Sequence, residues 1–488
     1  MKLLELIKNL ETIETVGNLN IDVKDIKIDS NTVSDVCLFI ALRGREFDGH
    51  SFVRQVENYG GVAIVTEKKV STTLTQIIVK DTRKAMSKLA KSFYGNPDKS
   101  LKLIGVVGTN GKTTTSHLIK NIITESGLKC GVIGTLGTFY DDVFIEPTLT
   151  TPDPLILYKT FYDMKKAGVK YVVMEVSAHA LALKKVEDLY FEVGVFTNFS
   201  QDHLDFFGDM ENYKKTKMSF FDAKKCKYIV VNSDDDFGLE VYKKQLGVIT
   251  YGIENPADVF AINLNESIDN TEYVLNLFDC VYNVNTKLIG RFNVYNELAA
   301  SATCALLGLK TEKIIQAIDN VSGISGRLEK LEHNGIKVFI DYAHTPDGIK
   351  KTLTALKNVA KNKLICVIGC GGNRDEKKRM PMGNICGELA DFTVITSDNP
   401  RYEEPMDIIN EIEKGVLKST KKYIIVQDRI EAIKYALTMA KCGDIVLIAG
   451  KGSEKYQEVL GIKHLYNDKD TVKEIFKKIK NWKVILLR

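Results

Sequence analysis

The chain has 488 residues, of which 44% are hydrophobic and 27% charged, a composition typical of globular proteins and not of disordered or fibrous ones. Its formal net charge is only +4 and its Lys and Arg residues form no dense block, so the composition does not support nucleic-acid binding. The length exceeds what one hydrophobic core supports and predicts about three domains.

The first residues and the cysteines both indicate a cytoplasmic protein. Residues 1–14 carry acids and lysines among their leucines, without the apolar core of a secretion signal. No stretch approaches the roughly 18 apolar residues of a membrane span, so we expect no membrane insertion. The nine cysteines are scattered and form no CxxC pair, which predicts reduced thiols.

Three segments follow one another along the chain. Residues 1–99 hold short strands and turns and end near FYGNPDKS, whose Gly, Asn and Pro are typical of a loop. In residues 100–327, the apolar strands at 101–107, 171–177 and 193–199 alternate with helical stretches. This alternation predicts βαβ units around a parallel sheet.

The last segment, residues 328–488, repeats the alternation with strands in 363–370, 391–398 and 443–450, each ending in Gly or polar residues. Ligands of open α/β sheets sit at the carboxyl ends of such strands. We therefore predict an α/β protein of three domains, with a mainly parallel sheet in the central and the C-terminal domain.

The most specific motif is a phosphate-binding loop between the strand at 101–107 and a helix. Its residues are Gly108, Thr109, Asn110, Gly111, Lys112, Thr113 and Thr114. The glycines let backbone amides approach phosphate oxygens, and the helix N-terminus adds positive potential. Lys112 is placed to reach the β- and γ-phosphates and Thr113 to ligate Mg²⁺. The strict pattern has Gly where this chain has Val106.

Acidic and imidazole side chains follow two further strands of the central segment. Glu175 ends the strand at 171–177, where a buried carboxylate is costly unless it is paired or binds metal. His203 lies between Asp202 and Asp205 just after the strand at 193–199. The two groups predict a site for Mg²⁺ or Mn²⁺.

These motifs, in the form GTNGKTTT, MEVSAHAL and DHLD, resemble the Mur ligases of peptidoglycan synthesis. The resemblance runs from about residue 28 to about residue 468 in the family's order and spacing. It implies a central P-loop ATPase domain with a parallel sheet and a Rossmann-like C-terminal domain. It also implies an ATP-dependent ligase that forms an amide through an acyl phosphate. It also implies Mg²⁺ bound by Glu175 and His203, a carbamylated lysine at Lys217, and catalytic roles for these residues and Lys112. Asn296, Arg327 and Asp341 are similar to family positions around the nucleotide.

Two further sets of positions resemble the family member that adds the third residue of the stem peptide. Those matching the UDP-N-acetylmuramoyl-dipeptide site are Ser30, Thr150, Thr151, Ser177 and Lys185. Those matching a meso-diaminopimelate site are Arg374, Asp398, Asn399, Pro400, Arg401, Gly450 and Glu454. Arg401 suits a remote carboxylate because its guanidinium forms forked hydrogen bonds. The chain departs from the usual pattern at Asn31, Ala178, Lys185, Asn373 and Ser453.

Three alternatives remain open at this point. The same ligation with L-lysine or another amino acid is the nearest, and a ligase like folylpolyglutamate synthase shares the phosphate loop. A non-catalytic nucleotide sensor is the third, although the set of Lys112, Glu175, His203 and Lys217 argues against it. We expect a monomer that acts on small-molecule substrates without nucleic acid.

Overall fold

The N-terminal segment folds around a five-stranded sheet. The computed structural model describes residues 1–44 and 47–485. The first elements are α1 (Leu3–Leu6), β1 (Thr12–Val16), β2 (Asp25–Lys27), β3 (Cys37–Ile40), α2 (Val53–Asn58), β4 (Gly61–Thr66), β5 (Thr75–Val79) and α3 (Thr82–Phe93). The strand order is β1-β5-β4-β3-β2, with β1 antiparallel to β5 and the other pairs parallel. Helix α3 begins at the side chain of Asp81, which accepts from the amide of Lys84.

The central segment carries the predicted alternation of strands and helices. Its elements are β6 (Lys102–Val107), α4 (Lys112–Glu125), β7 (Cys130–Gly134), β8 (Gly137–Tyr140), β9 (Val143–Ile145), α5 (Pro154–Lys166), β10 (Tyr171–Glu175), α6 (Ala178–Ala182), β11 (Phe191–Phe196), α7 (Leu204–Phe207), α8 (Met210–Met218), β12 (Cys226–Asn232), α9 (Asp236–Lys244), β13 (Val248–Gly252), β14 (Val259–Glu266), β15 (Thr271–Leu277), β16 (Cys280–Thr286), α10 (Arg291–Leu306) and α11 (Thr311–Asn320). Strands β6, β10 and β7 pair in parallel, as do β12, β13 and β14, whereas β8, β9, β15 and β16 are antiparallel additions.

The C-terminal segment is built on a six-stranded sheet. Its elements are β17 (Glu329–His333), β18 (Ile336–Asp341), α12 (Pro346–Val359), β19 (Leu364–Ile368), α13 (Arg379–Leu389), β20 (Phe392–Ile395), α14 (Pro405–Val416), β21 (Tyr423–Ile425), α15 (Arg429–Met439), β22 (Ile445–Ala449), β23 (Tyr456–Val459), β24 (Ile462–Leu465) and α16 (Asp468–Ile485). The order is β17-β18-β22-β19-β20-β21, parallel except at β17. Apolar clusters cover both faces, as a buried parallel sheet requires. The predicted α/β class with three sheet-bearing parts is confirmed.

The chain divides into two compact units that interleave along the sequence. The first comprises Met1–Val107, Gly127–Gly194 and Ser219–Tyr228, and the second Gly108–Ser126, Val195–Met218 and Ile229–Arg488. The phosphate loop, His203 and Lys217 therefore belong to the second unit, and Glu175 belongs to the first. Within the described ranges, none of the helices is long and apolar enough to cross a membrane.

A buried acid in α10 makes the stability of the second unit depend on pH. Glu297 is fully buried and accepts a hydrogen bond of 2.9 Å from the hydroxyl of Tyr273. Burial raises the pKa of Glu297 to about 8. The folded chain therefore keeps this proton while the unfolded chain loses it above its ordinary pKa. Stability should fall by up to about 1.4 kcal/mol for each pH unit between those two pKa values and level off above the higher one.

We expect Glu297→Gln to remove this loss of stability at higher pH. The side-chain oxygen of glutamine still accepts from Tyr273, and its amide does not titrate. Thermal midpoints of wild type and Glu297→Gln, measured by calorimetry from about pH 5 to about pH 8.5, should diverge as the pH rises. Glu431→Ala, at an exposed position of α15, serves as the control for loss of an acid. Parallel curves for wild type and Glu297→Gln would contradict the assignment.

Candidate active site

The phosphate loop is formed where β6 ends and α4 begins. Gly111 is the residue before the helix and has φ +84°, the left-handed region that favours glycine. The ammonium of Lys112 donates to the carbonyl oxygens of Gly108 at 2.9 Å and Thr109 at 3.0 Å. The loop thus holds a lysine charge at the N-terminus of a helix, the arrangement that binds phosphate anions.

Residues that follow β11 support the loop from one side. The hydroxyl of Thr197 and the side-chain Nδ2 of Asn198 donate to the carbonyl of Asn110 at 2.6 and 3.0 Å. Asn198 also accepts from the Asn110 amide at 2.9 Å, and its own carbonyl accepts from the Thr109 amide at 2.8 Å. Four hydrogen bonds therefore fix the backbone of Thr109 and Asn110.

Asn296 of α10 approaches the loop from another side. It is buried, donates to Asn293 at 3.1 Å, and accepts from the hydroxyl of Thr115 at 3.2 Å. A Cβ placed on Gly111 would lie 2.4 Å from its side-chain oxygen, which is closer than real Cβ contacts. Position 111 is therefore restricted to glycine by a neighbour as well as by φ.

We predict that Gly111→Ala lowers kcat/KM for ATP about tenfold or more, because the methyl displaces Asn296 and strains a left-handed residue. Gly127→Ala, just after the same helix, is the matched control: its φ is +79° but nothing lies within 4 Å of the added carbon. Initial rates at varied ATP concentration measure the difference. Equal losses in the two variants would assign the effect to φ alone.

Arg327 contacts the helical end of the loop. Its guanidinium donates to the hydroxyl of Thr113 at 2.9 Å and stacks on the ring of Tyr342, 4.5 Å from the ring centroid. Asp341 is buried beside it and accepts from the amides of Leu328 at 2.7 Å and Ala343 at 2.9 Å. Burial raises the pKa of Asp341. The structure thus brings Thr113, Arg327 and Asp341 into one region of the second unit.

Lys217 of α8 is buried against the phosphate loop. Its side chain is 1% exposed, and its amine donates to the hydroxyl of Thr109 at 2.9 Å. The amine also lies 4.2 Å from the centroid of the Tyr213 ring. Burial, and then the charge of Lys112, lower the pKa of Lys217 well below its ordinary value. A buried amine that gives up its proton is a nucleophile, which is the state that reacts with CO₂.

His203 lies at the end of the segment after β11 with φ +56°. Its Nε2 is 3.3 Å from the carboxylate of buried Asp202, and His344 lies 3.9 Å from the same carboxylate. Burial alone would raise the pKa of Asp202, but the charges of His203 and His344 outweigh it and hold that pKa at about 2. Asp202 therefore stays ionised and holds the imidazole of His203.

Glu175 is the last residue of β10, in the first unit. It pairs in register with Val106, two residues before Gly108 in the chain. Its carboxylate accepts from the amide of Thr135 at 2.8 Å and from the hydroxyl of Thr135 at 3.0 Å. These bonds show how the first unit holds a buried carboxylate on the strand next to the one that leads into the phosphate loop.

Three of the predicted substrate residues of the first unit, Thr151, Ser177 and Lys185, form one hydrogen-bonded group. The hydroxyl of Thr151 donates to the Glu175 carbonyl at 2.8 Å and accepts from the Ser177 amide at 3.0 Å. Lys185 donates to the Thr151 carbonyl at 3.3 Å and pairs with Asp153 at 2.9 Å. The hydroxyl of Thr150 is 3.2 Å from that of Thr135. Ser30 is buried in a short 3₁₀ turn elsewhere in the unit.

A polar cluster follows β20 and β22 in the C-terminal sheet. Lys451 is fully buried and donates to Asn399 and Glu454, both at 2.8 Å, with Asp398 at 3.7 Å. Asn399 donates to the same Glu454 oxygen at 2.9 Å. Burial alone would raise the pKa of Asp398, but the charge of Lys451 outweighs it and lowers that pKa. A Cβ on Gly450 would lie 2.6 Å from the Asp398 carboxylate, which explains a glycine there.

Arg401 borders this cluster and has a left-handed backbone, with φ +54°. Its Nε donates to Glu458 at 3.2 Å and its Nη1 to the Gly372 carbonyl at 2.7 Å. Pro400 is buried next to it, and Arg374 is exposed in the loop that follows β19. The predicted amino-acid residues therefore lie on neighbouring loops at the carboxyl ends of β19, β20 and β22.

Several contacting residues were missed by the sequence reasoning. They are Thr197, Asn198, Tyr213, Tyr342, Lys451 and Glu458. Thr197 and Asn198 directly follow a buried strand, and Lys451 stands between two glycines after another, so position at a strand end could have found them. No local pattern distinguishes Glu458.

Models of one family match most of the chain. The Mur ligase middle domain matches residues 106–304, the glutamate ligase domain of the Mur ligases residues 326–452, and the catalytic domain of the Mur ligase family residues 22–94. A UDP-N-acetylmuramoyl-L-alanyl-D-glutamate--2,6-diaminopimelate ligase of Caldanaerobacter subterraneus subsp. tengcongensis is 42% identical over 97% of this chain and 99% of its own. The chain belongs to the Mur ligase family. The predicted family and the predicted enzyme class, an ATP-dependent ligase, are thereby confirmed.

Other Mur ligases agree with this assignment. A ligase of the same name, numbered 1, from Clostridium acetobutylicum is 42% identical over 98% of this chain and 100% of its own. A solved structure of a UDP-N-acetylmuramoyl-L-alanyl-D-glutamate--2,6-diaminopimelate ligase has a TM-score of 0.70 and 30% identity, covering 98% of this chain and 99% of that one. MurF of Thermotoga maritima in complex with ADP has a TM-score of 0.63 and 21% identity, covering 93% and 97%, and shares the fold.

Proposed function

We propose that this Mur ligase adds meso-diaminopimelate to UDP-N-acetylmuramoyl-L-alanyl-D-glutamate in peptidoglycan synthesis. A carboxylate oxygen of the glutamate attacks the γ-phosphorus of ATP, and ADP leaves. The amine of diaminopimelate then attacks the acyl carbon of the acyl phosphate, phosphate leaves, and the amine loses a proton. The products are an amide, ADP and inorganic phosphate.

The cluster around Arg401 is the observation that carries the choice of amino acid. Arg401 presents a guanidinium at the same sheet edge where Glu454 presents a carboxylate, and Lys451 and Asn399 occupy only Oε2 of Glu454. Among the residues that the structure describes, Oε1 of Glu454 has no hydrogen bond. A guanidinium and a carboxylate at the same end of the sheet suit the distal carboxylate and ammonium of diaminopimelate. Lysine has no distal carboxylate for Arg401.

The nucleotide is assigned to the phosphate loop and its surroundings. Backbone amides of residues 108–114 and the ammonium of Lys112 would hold the phosphates, because the ammonium lies within the loop, on the carbonyl oxygens of Gly108 and Thr109, at the N-terminus of a helix. Asn296 borders the loop at Gly111. Arg327 lies on Thr113, within reach of the phosphate end, with Asp341 beside it. These contacts support the predicted nucleotide roles of Asn296, Arg327 and Asp341.

Mg²⁺ fits this donor set. In the described part of the chain, no group of three or more His, Cys, Asp or Glu side chains is arranged to hold a metal ion. Mg²⁺ needs no such cage, because it binds phosphate oxygens and water with one or two protein ligands. Thr113, Glu175, His203 and a carbamate on Lys217 are the proposed ligands, divided between two such ions. When bound, they neutralise charge on the phosphates during transfer.

The domain boundaries and the cellular location stay predictions from the sequence. We place the UDP-precursor domain at 1–99, the ATP-binding domain at 100–327 and the amino-acid domain at 328–488, supported by family models that cover 22–94, 106–304 and 326–452. Ser30, Thr150, Thr151, Ser177 and Lys185 are assigned to the UDP-linked substrate. We further propose a cytoplasmic monomer, for which the substrates of peptidoglycan synthesis are the partners.

One incubation tests the function. The purified chain is given ATP, Mg²⁺ and UDP-N-acetylmuramoyl-L-Ala-D-Glu, with meso-diaminopimelate, L-lysine, L-ornithine or no amino acid in parallel, and the products are weighed by mass spectrometry. We expect a mass gain of one diaminopimelate residue. Addition of lysine alone would keep the ligase and overturn the amino-acid assignment, and no adduct would overturn the assigned acceptor.

Arg401→Ala is expected to lower kcat/KM for diaminopimelate by at least about tenfold to a hundredfold, the value of a charge-assisted hydrogen bond or two. The UDP-linked substrate and ATP should bind as before, because Arg401 belongs to the amino-acid loop. Arg291→Ala, at an exposed pair with Glu254, is the matched control for loss of an arginine. An unchanged kcat/KM for diaminopimelate in Arg401→Ala would contradict the role of this loop.

A further inference from the structure

Strand β23 (Tyr456–Val459) holds the loop that contains Arg401 residue by residue. The side chain of Gln457 donates to the Asp398 carbonyl at 2.6 Å, and the amide of Glu458 donates to the side chain of Asn399 at 2.9 Å. The amide of Arg401 donates to the Glu458 carbonyl at 3.1 Å. The loop is thus added to the edge of this strand.

The side chain of Arg401 is held by the same strand. Its Nε meets the Glu458 carboxylate at 3.2 Å, and both side chains are about one-fifth exposed, at 18% and 20%. One hydrogen of Nη1 goes to the Gly372 carbonyl at 2.7 Å. Within the described residues, Nη2 and the second Nη1 hydrogen have no protein acceptor. The guanidinium therefore has one edge occupied and the opposite end open.

This arrangement restricts how an anion can bind. A guanidinium binds carboxylates in a forked manner either along the Nε–Nη edge or through the two Nη groups. Because Glu458 occupies Nε, only the end formed by Nη1 and Nη2 remains.

The left-handed backbone of Arg401, with φ +54°, adds strain that the contacts to Glu458 and Leu460 offset.

We propose that Glu458 is a positioning residue that fixes the Arg401 guanidinium so that its Nη1–Nη2 end faces the distal carboxylate of the amino-acid substrate. The proposal rests on the function proposed above. Glu458 does not touch the substrate: it acts through Arg401 and contributes to selection of an amino acid with a distal carboxylate. A held guanidinium loses less side-chain entropy on binding than a free one.

The proposal is tested by comparing two variants, Glu458→Ala and Glu458→Gln. Alanine frees Nε, so KM for diaminopimelate should rise roughly tenfold or more with kcat nearly unchanged, since only binding is affected. Glutamine keeps an oxygen acceptor for Nε and should restore KM to within about threefold of wild type. Glu431→Ala, in an exposed pair with Lys434, is the control for loss of an acid.

Crystal structures of the two variants give a readout that does not depend on activity. In Glu458→Ala the guanidinium of Arg401 should leave its present position, and in Glu458→Gln it should stay. An unmoved guanidinium in Glu458→Ala, or equal KM values for all variants, would overturn the proposal. If the wild type adds no diaminopimelate, the proposed function fails, and the position of the guanidinium still decides whether Glu458 orients it.

Discussion

Replacing Lys217 by alanine is expected to reduce amide formation by at least about a hundredfold to a thousandfold, the usual effect of removing one group that stabilises transition-state charge. The physical reason is its environment. The amine is buried, donates to Thr109 of the phosphate loop, and has a pKa lowered well below the ordinary value by burial. A neutral amine in this place can add CO₂ and become an anion beside the nucleotide.

Added acetate should restore part of the activity of Lys217→Ala, because a small carboxylate can occupy the space of the lost carbamate. Lys217→Arg should stay inactive, since it keeps a positive charge and forms no carbamate. In the wild type, ¹³C-bicarbonate should give a carbamate resonance by NMR that Lys217→Ala lacks. Lys217→Met fills the cavity and serves as a check on folding by thermal melting.

Lys215→Ala is the matched control, because Lys215 lies on the same helix, is exposed, and pairs with Glu211. It should retain wild-type rates. An active Lys217→Arg, or an Lys217→Ala variant with rates within threefold of wild type, would show that a carbamate is not needed. If acetate does not raise the activity of Lys217→Ala, only the expectation that a small carboxylate can replace the carbamate is contradicted.

The phosphate loop could be predicted from the sequence because its determinants are local. The sequence motif consists of consecutive residues: a strand, then two glycines and a lysine, then a helix. The structure has β6, Gly111 at φ +84° and α4 in that order. Glu175 likewise stands at the end of a recognisable strand. A site whose groups lie within one turn of backbone can be recognised from consecutive residues of the sequence.

Burial of one lysine among several could not be predicted in this way. Lys214, Lys215 and Lys217 lie within one turn of α8, and only packing against Thr109 and Tyr213 distinguishes Lys217. The helix shows little amphipathic pattern, because its buried face carries a lysine and a tyrosine. Only the resemblance to the Mur ligases selected this residue.

Two departures from the family pattern have structural accounts. Asn373 has φ +50°, a conformation that asparagine tolerates better than most residues, and it accepts from the Tyr402 amide at 3.0 Å. Lys185 still forms an ion pair with Asp153 at 2.9 Å, although it lacks the two parallel hydrogen-bond donors of an arginine. Nothing in the structure explains Ser453. Backbone angles and partners that decide such substitutions are not visible in a sequence.

Replacing Lys112 by methionine is the second large effect, with a loss in kcat of about a thousandfold expected. Its ammonium lies on the Gly108 and Thr109 carbonyls at 2.9 and 3.0 Å, within the loop that would surround the phosphates. Charge on the phosphoryl oxygens spreads during transfer, so the loss should fall more on kcat than on ATP binding. Methionine matches the length of the lysine stem and removes only the charge.

Phosphate release at saturating substrates gives kcat, and calorimetry with a non-hydrolysable ATP analogue gives the dissociation constant. Lys112→Met should weaken binding of the analogue by about tenfold or less, whereas kcat should fall far more. Lys120→Ala, two turns further along the same helix, should change neither by more than a few-fold. Equal factors in affinity and kcat would mean that Lys112 binds the ground state and the transition state alike, and that the stabilisation of transfer must come from other groups around the loop.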